Sequence, residues 1–392
     1  MRAHFSPGKR RAALFLTVVL GALGVVGVSQ AWRIPLVRDE PAAGAIAASC
    51  DGTQLAAGAR GPLWDTPSRP VGRNGLILGT GGGGQPGTFR LQSVDPVSVR
   101  VAGVSDVLSG IPNELAVSPD GQWALVSSSS TAPEPTPPDT LRLVNIRDGS
   151  VRRTTPFAYM SLAGLAWSPN SNAFVIATSS ELLLGSVENA NLVKLADAQR
   201  SFALPLEWSP DGQWIAYAEE TPSLNIIETG VTVIHPDGSA QQRLTGSGRG
   251  SIAWSPDGSE LAVGNGPGVS VVRPDGSDLR QLLYAPPGIV SLDGLVWSPS
   301  GRYLAFKSSA RSSEELSTCI LAAGGMLRSR DACSGVWYGA GGVVWSPDEA
   351  WLVIPTTRDC HEPEGLRLLS ANGTDQGVAL PPLSYVTWLT SP

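Results

Sequence analysis

The amino-acid sequence predicts an all-β domain of short antiparallel strands, and three observations support this. A tight-turn motif recurs along the chain with apolar residues alternating on both sides of it. A second turn of the Asp-Gly-Ser type follows most copies. Glycine and proline are abundant, with 45 and 32 residues, while 42% of the chain is hydrophobic. This composition suits many strands joined by tight turns and is not that of a disordered chain.

The recurring motif has the consensus W-S-P-D-G. Its serines are 41 to 50 residues apart from the first clear copy onward. Proline presets φ for a turn, aspartate can accept hydrogen bonds from backbone amides, and glycine tolerates a positive φ. Clear copies start at Leu115, Leu165, Leu206, Ile252, Leu295 and Val343, and a degenerate copy, IAASCDGTQLA, starts at Ile46.

A second hairpin completes each repeat, with turns at residues 147–150, 236–239, 274–277 and 371–374. Two hairpins give four antiparallel strands, which is one propeller blade, and the spacing matches the ~40–50 residues of blade repeats. The sequence therefore predicts a β-propeller of about seven four-stranded blades. Six or eight blades are the alternatives, depending on how residues 44–112 are divided. Within that stretch we interpret Gly79–Gly87 as a surface loop.

The tryptophans and the C-terminal segment fit this interpretation. Tryptophan occupies the position before Ser-Pro in five copies, and its fixed place indicates packing between blades. A further tryptophan, Trp388, follows Trp345 by 43 residues and lies in a segment that resembles a first strand without the rest of its blade. We expect this strand to pair with blade one and so remove the open edge of the ring.

The W-S-P-D-G-x-x-[LIWY]-A unit, with its later D-G-S hairpin, resembles the TolB-type propeller repeat, a relative in shape of WD40-type repeats. The resemblance covers residues 44–392. Some copies depart from the pattern, with Cys50 in place of proline, Asn170-Ser171, Ser300 and Glu349. The resemblance implies a protein of the bacterial cell envelope whose propeller rim or channel docks a protein or a glycan.

The N-terminus has the pattern of an export signal. Residues 1–11 contain four basic residues and no acidic one, and the uncharged apolar run Ala12–Val28 follows directly. A basic flank before an apolar run predicts a signal sequence or anchor helix with its basic end inside the cell. Cleavage before Trp32 would give a secreted protein, whereas retention, which we favour, would give a single-pass membrane protein with its C-terminal domain outside the cytoplasm. The predicted organisation is a basic n-region at 1–11, a signal peptide or anchor at 12–31, a linker at 32–43 and the propeller at 44–392.

The charge distribution argues against nucleic acid as a partner. Residues 1–11 carry +4 of a net charge of −6, so the remainder carries −10. Binding to phosphate backbones requires a basic surface. We expect a monomer with a protein or glycan partner and no cofactor.

Four cysteines follow the apolar run, an even number that permits two disulfides in an exported domain. Cys319 and Cys333 flank the hairpin expected at Gly324-Gly325 and are the first expected pair. Cys50 and Cys360 lie in the first and last blades, so a disulfide between them would link these blades covalently and close the ring. Their spacings do not predict a zinc site.

The sequence offers little for catalysis. It contains no G-x-S-x-G nucleophile motif, and only His235 and His361 follow the apolar run. The periodic aspartates are interpreted as turn formers. We therefore predict a binding protein and not an enzyme, with an extracytoplasmic lyase or hydrolase acting in the propeller channel as the alternative. Candidate binding residues are placed in the loops after each second strand: Glu219, Glu220, Lys307, Arg311, Asp359 and His361.

Overall fold

The computed structural model describes sixteen stretches of the chain, all within the unit Ala45–Pro392. These are residues 76–95, 100–129, 139–157, 164–188, 192–197, 205–222, 227–245, 251–264, 268–284, 289–310, 316–322, 325–330, 343–358, 362–370, 375–380 and 384–389. Every regular element in these stretches is a β-strand, which confirms the all-β prediction.

The strands of the described residues form seven antiparallel sheets. The first three contain β1 (Leu76–Gly82), β2 (Thr88–Val94), β3 (Val101–Gly103) and β4 (Leu108–Ser109); β5 (Ile111–Val117), β6 (Trp123–Ser129), β7 (Asp139–Asn145) and β8 (Val151–Phe157); and β9 (Gly164–Trp167), β10 (Ala173–Ala177), β11 (Glu181–Ser186) and β12 (Val193–Asp197).

The next two sheets contain β13 (Leu206–Trp208), β14 (Ile215–Pro222), β15 (Ile227–Ile234) and β16 (Gln242–Thr245); and β17 (Ile252–Trp254), β18 (Leu261–Gly264), β19 (Gly268–Val272) and β20 (Arg280–Tyr284). The last two contain β21 (Ile289–Trp297), β22 (Tyr303–Ala310), β23 (Leu316–Ala322) and β24 (Gly325–Arg330); and β25 (Val344–Trp345), β26 (Trp351–Arg358), β27 (Glu362–Ser370) and β28 (Asp375–Leu380). The final strand, β29 (Ser384–Leu389), joins the first sheet.

The first strands of the sheets form a closed ring. In the order β5, β9, β13, β17, β21, β25 and β29, each contacts the next, and β29 also contacts β5. Strand β29 pairs antiparallel with β1, placing Trp388 opposite Ile77 and Leu389 opposite Leu76. The expected pairing of the C-terminal strand with blade one is thus confirmed.

This pairing also identifies the first two strands of the sheet that closes the ring, which are β29 and β1. From the sequence alone, the division of residues 44–112 between blades is open. One edge of β1 pairs with β2 and the other with β29, so β1 has no free edge for another strand. Residues 46–56 themselves lie outside the described residues.

The glycine-rich stretch is also more ordered than the expected surface loop. Gly79–Gly82 belong to β1, and only residues 83–87 form the turn to β2. The Gly83 amide donates to the Thr88 carbonyl at 3.1 Å, and the Thr88 amide donates to the Gln85 carbonyl at 3.2 Å. Pairing on both sides of β1 outweighs the weak strand propensity of glycine.

Hydrogen bonds explain why the S-P-D-G sequence forms its turn. In the copy at Ser209, the serine Oγ donates to Asp211 Oδ1 at 2.5 Å and accepts from the Trp214 amide at 2.9 Å. The same carboxylate accepts from the Gln213 amide at 3.0 Å, and the Gly212 amide closes the turn onto the Ser209 carbonyl at 2.9 Å. The equivalent side-chain bond, at 2.5 to 2.7 Å, is present in the turns that begin at Ser118, Ser168, Ser255 and Ser346.

The fourth position of all six turns has a positive φ, including the two copies that lack glycine there. Ser171, with φ 62°, accepts a hydrogen bond from the Asp120 amide of the preceding turn at 3.0 Å. Glu349, with φ 58°, accepts from the Ser300 amide of its preceding turn and from Arg302 Nη2 at 3.0 Å. A non-glycine residue in this conformation costs about 1–2 kcal/mol. In both copies, bonds to the neighbouring turn offset that cost.

We predict that Gly212→Val destabilises the protein by about 1–2 kcal/mol. Gly212 has a φ of 77°, and a Cβ there would lie 3.3 Å from Cγ of Pro169 in the neighbouring turn. Valine cannot form the compensating bonds of the non-glycine copies. The measurement is the unfolding midpoint in urea. Gly82→Val is the control, because no atom lies within 4 Å of a Cβ at that exposed strand position. Equal midpoints for the two variants would contradict the prediction.

The core lies between adjacent sheets. Leu125 and Leu141 of the second sheet pack with Trp167 and Phe174 of the third, whose rings meet edge-on with centroids 5.5 Å apart. Apolar clusters of the same kind join the first sheet to the second, the third to the fourth, the fourth to the fifth, the fifth to the sixth and the seventh to the first. Each sheet therefore depends on its neighbours for its buried surface.

Candidate functional site

The two ends of the propeller are built differently. We call the end that carries the connections from first to second strands the turn end, and the opposite end the variable end. In the second to seventh sheets, the turn-end connections contain five or six residues each. The variable-end connections from second to third strands range from three residues, as at 178–180, to nine, at 130–138. The first-to-second connections are thus uniform in length, whereas the second-to-third connections at the variable end differ from sheet to sheet. The third-to-fourth connections, which also lie at the turn end, contain two to seven residues.

Three of the predicted binding residues lie within second strands and not in the loops that follow them: Glu219, Glu220 and Lys307. Glu219 is in β14 and partly buried, and its Oε1 accepts a hydrogen bond from Thr232 Oγ1 at 2.5 Å. Lys307 is in β22, opposite Asp293 and Thr318. Glu219 and Lys307 belong to the fourth and sixth sheets, with the fifth between them, so the structure does not bring them together.

The remaining candidates are described less fully. Glu220 follows Glu219 in β14, opposite Thr229. Arg311, Asp359 and His361 lie outside the described residues, so a shared binding surface stays a prediction. The position of Glu219 within a strand follows from the length of β14, which extends to Pro222.

The structure describes one of the four cysteines. Cys319 is in β23, opposite Phe306 and Arg328. The hairpin expected at Gly324-Gly325 is present, since Ala322 and Gly325 are register partners of β23 and β24. Cys50, Cys333 and Cys360 lie outside the described residues, and both disulfides stay predictions.

Tryptophans link the first strands around the ring. Trp167 donates from its indole Nε1 to the carbonyl of Ala116 in the preceding sheet at 3.0 Å. The equivalent bond, at 3.2 to 3.3 Å, joins Trp297 to Ala253, Trp345 to Val296 and Trp388 to Val344. In all four cases the acceptor residue lies two positions before the motif serine of its own sheet. The expected packing between blades is thus confirmed for these four tryptophans.

Side chains also bind backbone amides of the next first strand. Glu114 Oε1 accepts from the Leu165 amide at 3.1 Å, and Ser251 Oγ accepts from the Leu295 amide at 2.8 Å. These amides point away from the second strands of their own sheets, so they need partners from elsewhere. Polar side chains on the ring therefore complete the inner edges of neighbouring sheets.

Glu207 departs from the regular pattern of the ring. It lies two positions before its motif serine, where the other described first strands of the W-S-P repeats carry alanine or valine. Its Oε2 accepts from the Trp254 amide of the following sheet at 3.0 Å. The indole N–H groups of Trp208, in the same strand, and of Trp254, in the following sheet, also depart from the pattern of the other tryptophans. Trp208 Nε1 donates to Gly212 of its own turn at 3.2 Å, and the buried Nε1 of Trp254 has no hydrogen-bond partner in the described part of the chain.

Burial raises the pKa of Glu207 to about 7, although the hydrogen bond from the Trp254 amide acts in the opposite direction. The carboxyl group therefore exists in both protonation states near neutral pH, and it can donate or accept a proton there. A carboxyl group of this kind beside an unpaired indole N–H is a candidate polar site on the inner strands. Reasoning from the sequence missed Glu207. The available signal was an acidic residue at a position otherwise held by alanine or valine.

Two further observations bear on the kind of site. No group of three histidine, cysteine, aspartate or glutamate side chains that could hold a metal ion occurs among the residues that the structure describes. The same residues include no helix long and apolar enough to cross a membrane.

Comparison with known proteins supports the fold. No family model matches the chain, and no curated protein matches it either. Solved structures do align with it. The β-propeller domain of Cps50 (Swd1) from Myceliophteria thermophila is 12% identical, with a TM-score of 0.53 over 72% of this chain and 92% of that chain.

Two further structures align with the chain. An oligogalacturonate lyase in complex with manganese is 13% identical, with a TM-score of 0.52 over 78% of this chain and 85% of that chain. TolB from Acinetobacter baumannii is 13% identical, with a TM-score of 0.48 over 80% of this chain and 82% of that chain. At these identities the likeness concerns the fold alone. The alignments with the Cps50 domain and the lyase, together with the sheets and turns described above, confirm the predicted β-propeller fold.

Proposed function

We propose that this chain is a membrane-anchored protein of the bacterial cell envelope whose propeller lies outside the cytoplasm and docks a protein or glycan partner. The observation that carries the proposal is the difference between the first-to-second and the second-to-third connections. The first-to-second turns all contain five or six residues in the second to seventh sheets, and hydrogen bonds join neighbouring turns in two places, whereas the second-to-third connections contain three to nine residues. A rigid scaffold that presents dissimilar connections is the usual arrangement in binding proteins.

The scaffold beneath the variable end supports this proposal. We propose a complete ring of seven blades, with β29 as the inner strand of the first. Side chains of several first strands bind their neighbours in the ring, and the second and third strands pair with each other in every described sheet, so the connections between them start from defined positions. Two of these connections belong to neighbouring sheets, the glycine-rich residues 83–87 and the proline-rich residues 130–138.

The location outside the cytoplasm rests on the sequence. The basic residues 1–11 and the apolar run Ala12–Val28 form an export signal, and retention of residues 12–31 would tether the domain to the membrane. The four cysteines after this segment suit an oxidising compartment. A secreted form arises if the segment is cleaved.

A second candidate function is an extracytoplasmic lyase or hydrolase with its site in the channel, and the observation that favours it is Glu207. A carboxyl group with a pKa of about 7 on an inner strand is suited to proton transfer. The variant Glu207→Gln keeps an acceptor for the Trp254 amide and removes the titration. Loss of a measured lyase or hydrolase activity in this variant, with partner capture unchanged, would favour the enzyme over the binding protein.

Cross-linking on intact cells tests the docking function. The chain has only three lysines, Lys9, Lys194 and Lys307, so an amine-reactive, membrane-impermeant cross-linker can attach to the propeller at two of them. Lys194 is the second residue of the outer strand β12, near the turn end, and Lys307 lies in the half of β22 towards the variable end. We expect the full-length protein to capture its partner from intact cells, and Lys307→Arg to abolish most of this capture.

Lys194→Arg is the matched control and should capture as well as the wild type. Its side chain is 47% exposed and pairs with Glu181 and Asp197, ion pairs that arginine can keep. Capture that depends on Lys194 but not on Lys307 would place the partner at the turn end and contradict the proposal. Absence of any labelling on intact cells, together with labelling after lysis, would contradict the location.

A further inference from the structure

A buried arginine lies between the first two sheets. Arg142 in β7 is 8% exposed. Side chains two residues apart on a strand share a face. Val144, two residues further along β7, packs with Leu78 and Phe89 of the first sheet. Arg142 therefore faces the first sheet.

The guanidinium group of Arg142 is held by two hydroxyl groups. Nη1 donates to Ser128 Oγ at 2.5 Å, and Nη2 donates to Ser109 Oγ at 3.1 Å. Ser128 Oγ in turn donates to the Ser109 carbonyl at 3.4 Å. Ser128 is the penultimate residue of β6, and Ser109 ends β4, so both lie at the variable end. The guanidinium group is thus aimed from the interior towards the connections at that end.

Among the residues that the structure describes, these contacts give the charge of Arg142 no counterion. Burial lowers the pKa of Arg142, but a guanidinium group stays protonated in proteins. Its hydrogen-bond partners among the described residues are neutral hydroxyls, which carry no compensating charge. Leaving a buried charge uncompensated is costly. Of its five N–H donors, the two bonds occupy two, and the remaining donors can form the charge-assisted pairs that guanidinium makes with a carboxylate.

The chain around Ser109 adds an apolar border to this site. Val107 is 46% exposed and Ile111 is 55% exposed, and the two flank Ser109 in the sequence. The Gly110 amide donates to the Gly87 carbonyl at 2.8 Å, which ties this border to the glycine-rich turn of the first sheet. A ligand that reaches Arg142 along this end therefore meets exposed aliphatic side chains. An apolar side chain next to the carboxylate of a peptide matches that surface better than the hydroxyl-rich rim of a sugar.

We propose that Arg142 is a ligand-binding residue and that the site takes an acidic peptide segment in which an apolar side chain accompanies the carboxylate. The carboxylate would bind the guanidinium group, and the apolar side chain would cover Val107 or Ile111. This inference deepens the proposed docking function and rests on it, since it identifies the partner as a protein.

Peptide binding to the purified full-length chain tests the inference. The probe is the peptide N-acetyl-Leu-Asp-Leu-amide, compared with its Asn analogue and with glucuronate, each titrated by calorimetry. We expect the acidic peptide to bind and the two others to bind at least about tenfold more weakly, because only the first combines a carboxylate with apolar side chains. Arg142→Met should weaken peptide binding at least about tenfold, and Arg142→Lys should retain part of it.

Arg152→Met is the matched control and should bind the peptide as the wild type does. Arg152 is exposed on the neighbouring strand β8, with its guanidinium carbon 5.2 Å from the ring centroid of Trp123. Thermal unfolding distinguishes a ligand-binding arginine from one that only stabilises the fold, because loss of a stabilising arginine would lower the melting temperature. If Arg142 binds a ligand, Arg142→Met should unfold at the same temperature as the wild type or higher, because the substitution removes a buried charge that has no counterion among the described residues.

Three results would overturn the inference. They are a lower melting temperature for Arg142→Met than for Arg152→Met, equal binding of the Asn peptide, and glucuronate binding as tight as that of the acidic peptide. These results are independent of the cross-linking experiment. Peptide binding through Arg142 without capture on intact cells would contradict the proposed location or partner and would still support the Arg142 site. Capture on intact cells without peptide binding would support the docking function and contradict the Arg142 site.

Discussion

Trp388→Ala is expected to lower the free energy of unfolding by about 3–5 kcal/mol. Trp388 is 7% exposed and packs with Ile77 of the first sheet and with Trp351 and Val353 of the seventh. Its indole Nε1 also donates to the Val344 carbonyl at 3.3 Å. The side chain therefore joins three sets of contacts at the point where the ring closes. Urea unfolding of the full-length protein measures the effect.

Two further variants separate packing from closure. Trp388→Phe keeps an aromatic ring and loses the indole hydrogen bond. The lost bond should lower the free energy of unfolding by about 1 kcal/mol, in addition to the effect of the smaller side chain. Trp167→Ala removes an equally buried tryptophan with the same type of hydrogen bond, from a strand whose sheet follows it directly in the chain. A loss at Trp388 clearly smaller than that at Trp167 would show that β29 does not hold the ring together.

Glu207→Gln should remove a pH dependence of stability that the wild type shows between about pH 4.5 and pH 7. The pKa of Glu207 is raised from 4.5 to about 7 in the folded protein, so between these values the folded state binds more protons than the unfolded state. Wild-type stability therefore falls as the pH rises through this window. Because Glu207 is only partly buried, the total fall should not exceed about 3 kcal/mol.

Urea unfolding at pH 4, 6 and 8 checks this sign. At pH 4 the wild type and Glu207→Gln should be similarly stable, and at pH 8 the variant should be more stable. Glu114→Gln is the matched control, because Glu114 likewise accepts from a backbone amide of the next first strand. Parallel pH profiles for the wild type and Glu207→Gln would mean that the carboxyl group is ionised without a penalty in the folded protein.

Much of the fold follows from local sequence. The proline, aspartate and glycine of each copy fix a turn through bonds within a few residues, so the positive φ expected at Gly212 is found. Even Ser171 and Glu349 keep the turn, because the serine and proline before them still direct the backbone. The ring-closing role of the C-terminal strand was also predictable, since Trp388 keeps the spacing of the repeat.

Blade one was not predictable from local pattern. The copy at Ile46 resembles the others, but which strand lies beside β1 depends on a pairing between distant parts of the chain. In the same way, residues 79–82 belong to a strand because β2 and β29 supply partners on both sides. Local propensity carries no information about such neighbours.

The polar side chains of both candidate sites were harder to predict. Along a strand, a charged residue between apolar ones is ordinarily read as facing water. Arg142 sits between Leu141 and Leu143 in this way, yet the first sheet covers its face. Glu207 lies in a first strand, away from the turns and loops in which the sequence predicts functional acids and histidines. Comparing the copies position by position reveals it, since the other copies carry small apolar residues there.

The pairing of β29 with β1 also determines when the molecule can finish folding. Leu76 and Leu389 are opposite each other although almost the whole domain separates them in the chain, and contacts of such long range form slowly. During synthesis and export the first sheet lacks its inner strand until Ser384–Leu389 has emerged, and its open edge can pair with other chains in that interval. A chain without β29 would keep this open edge permanently. Strand β29 thus determines when the first sheet can be completed.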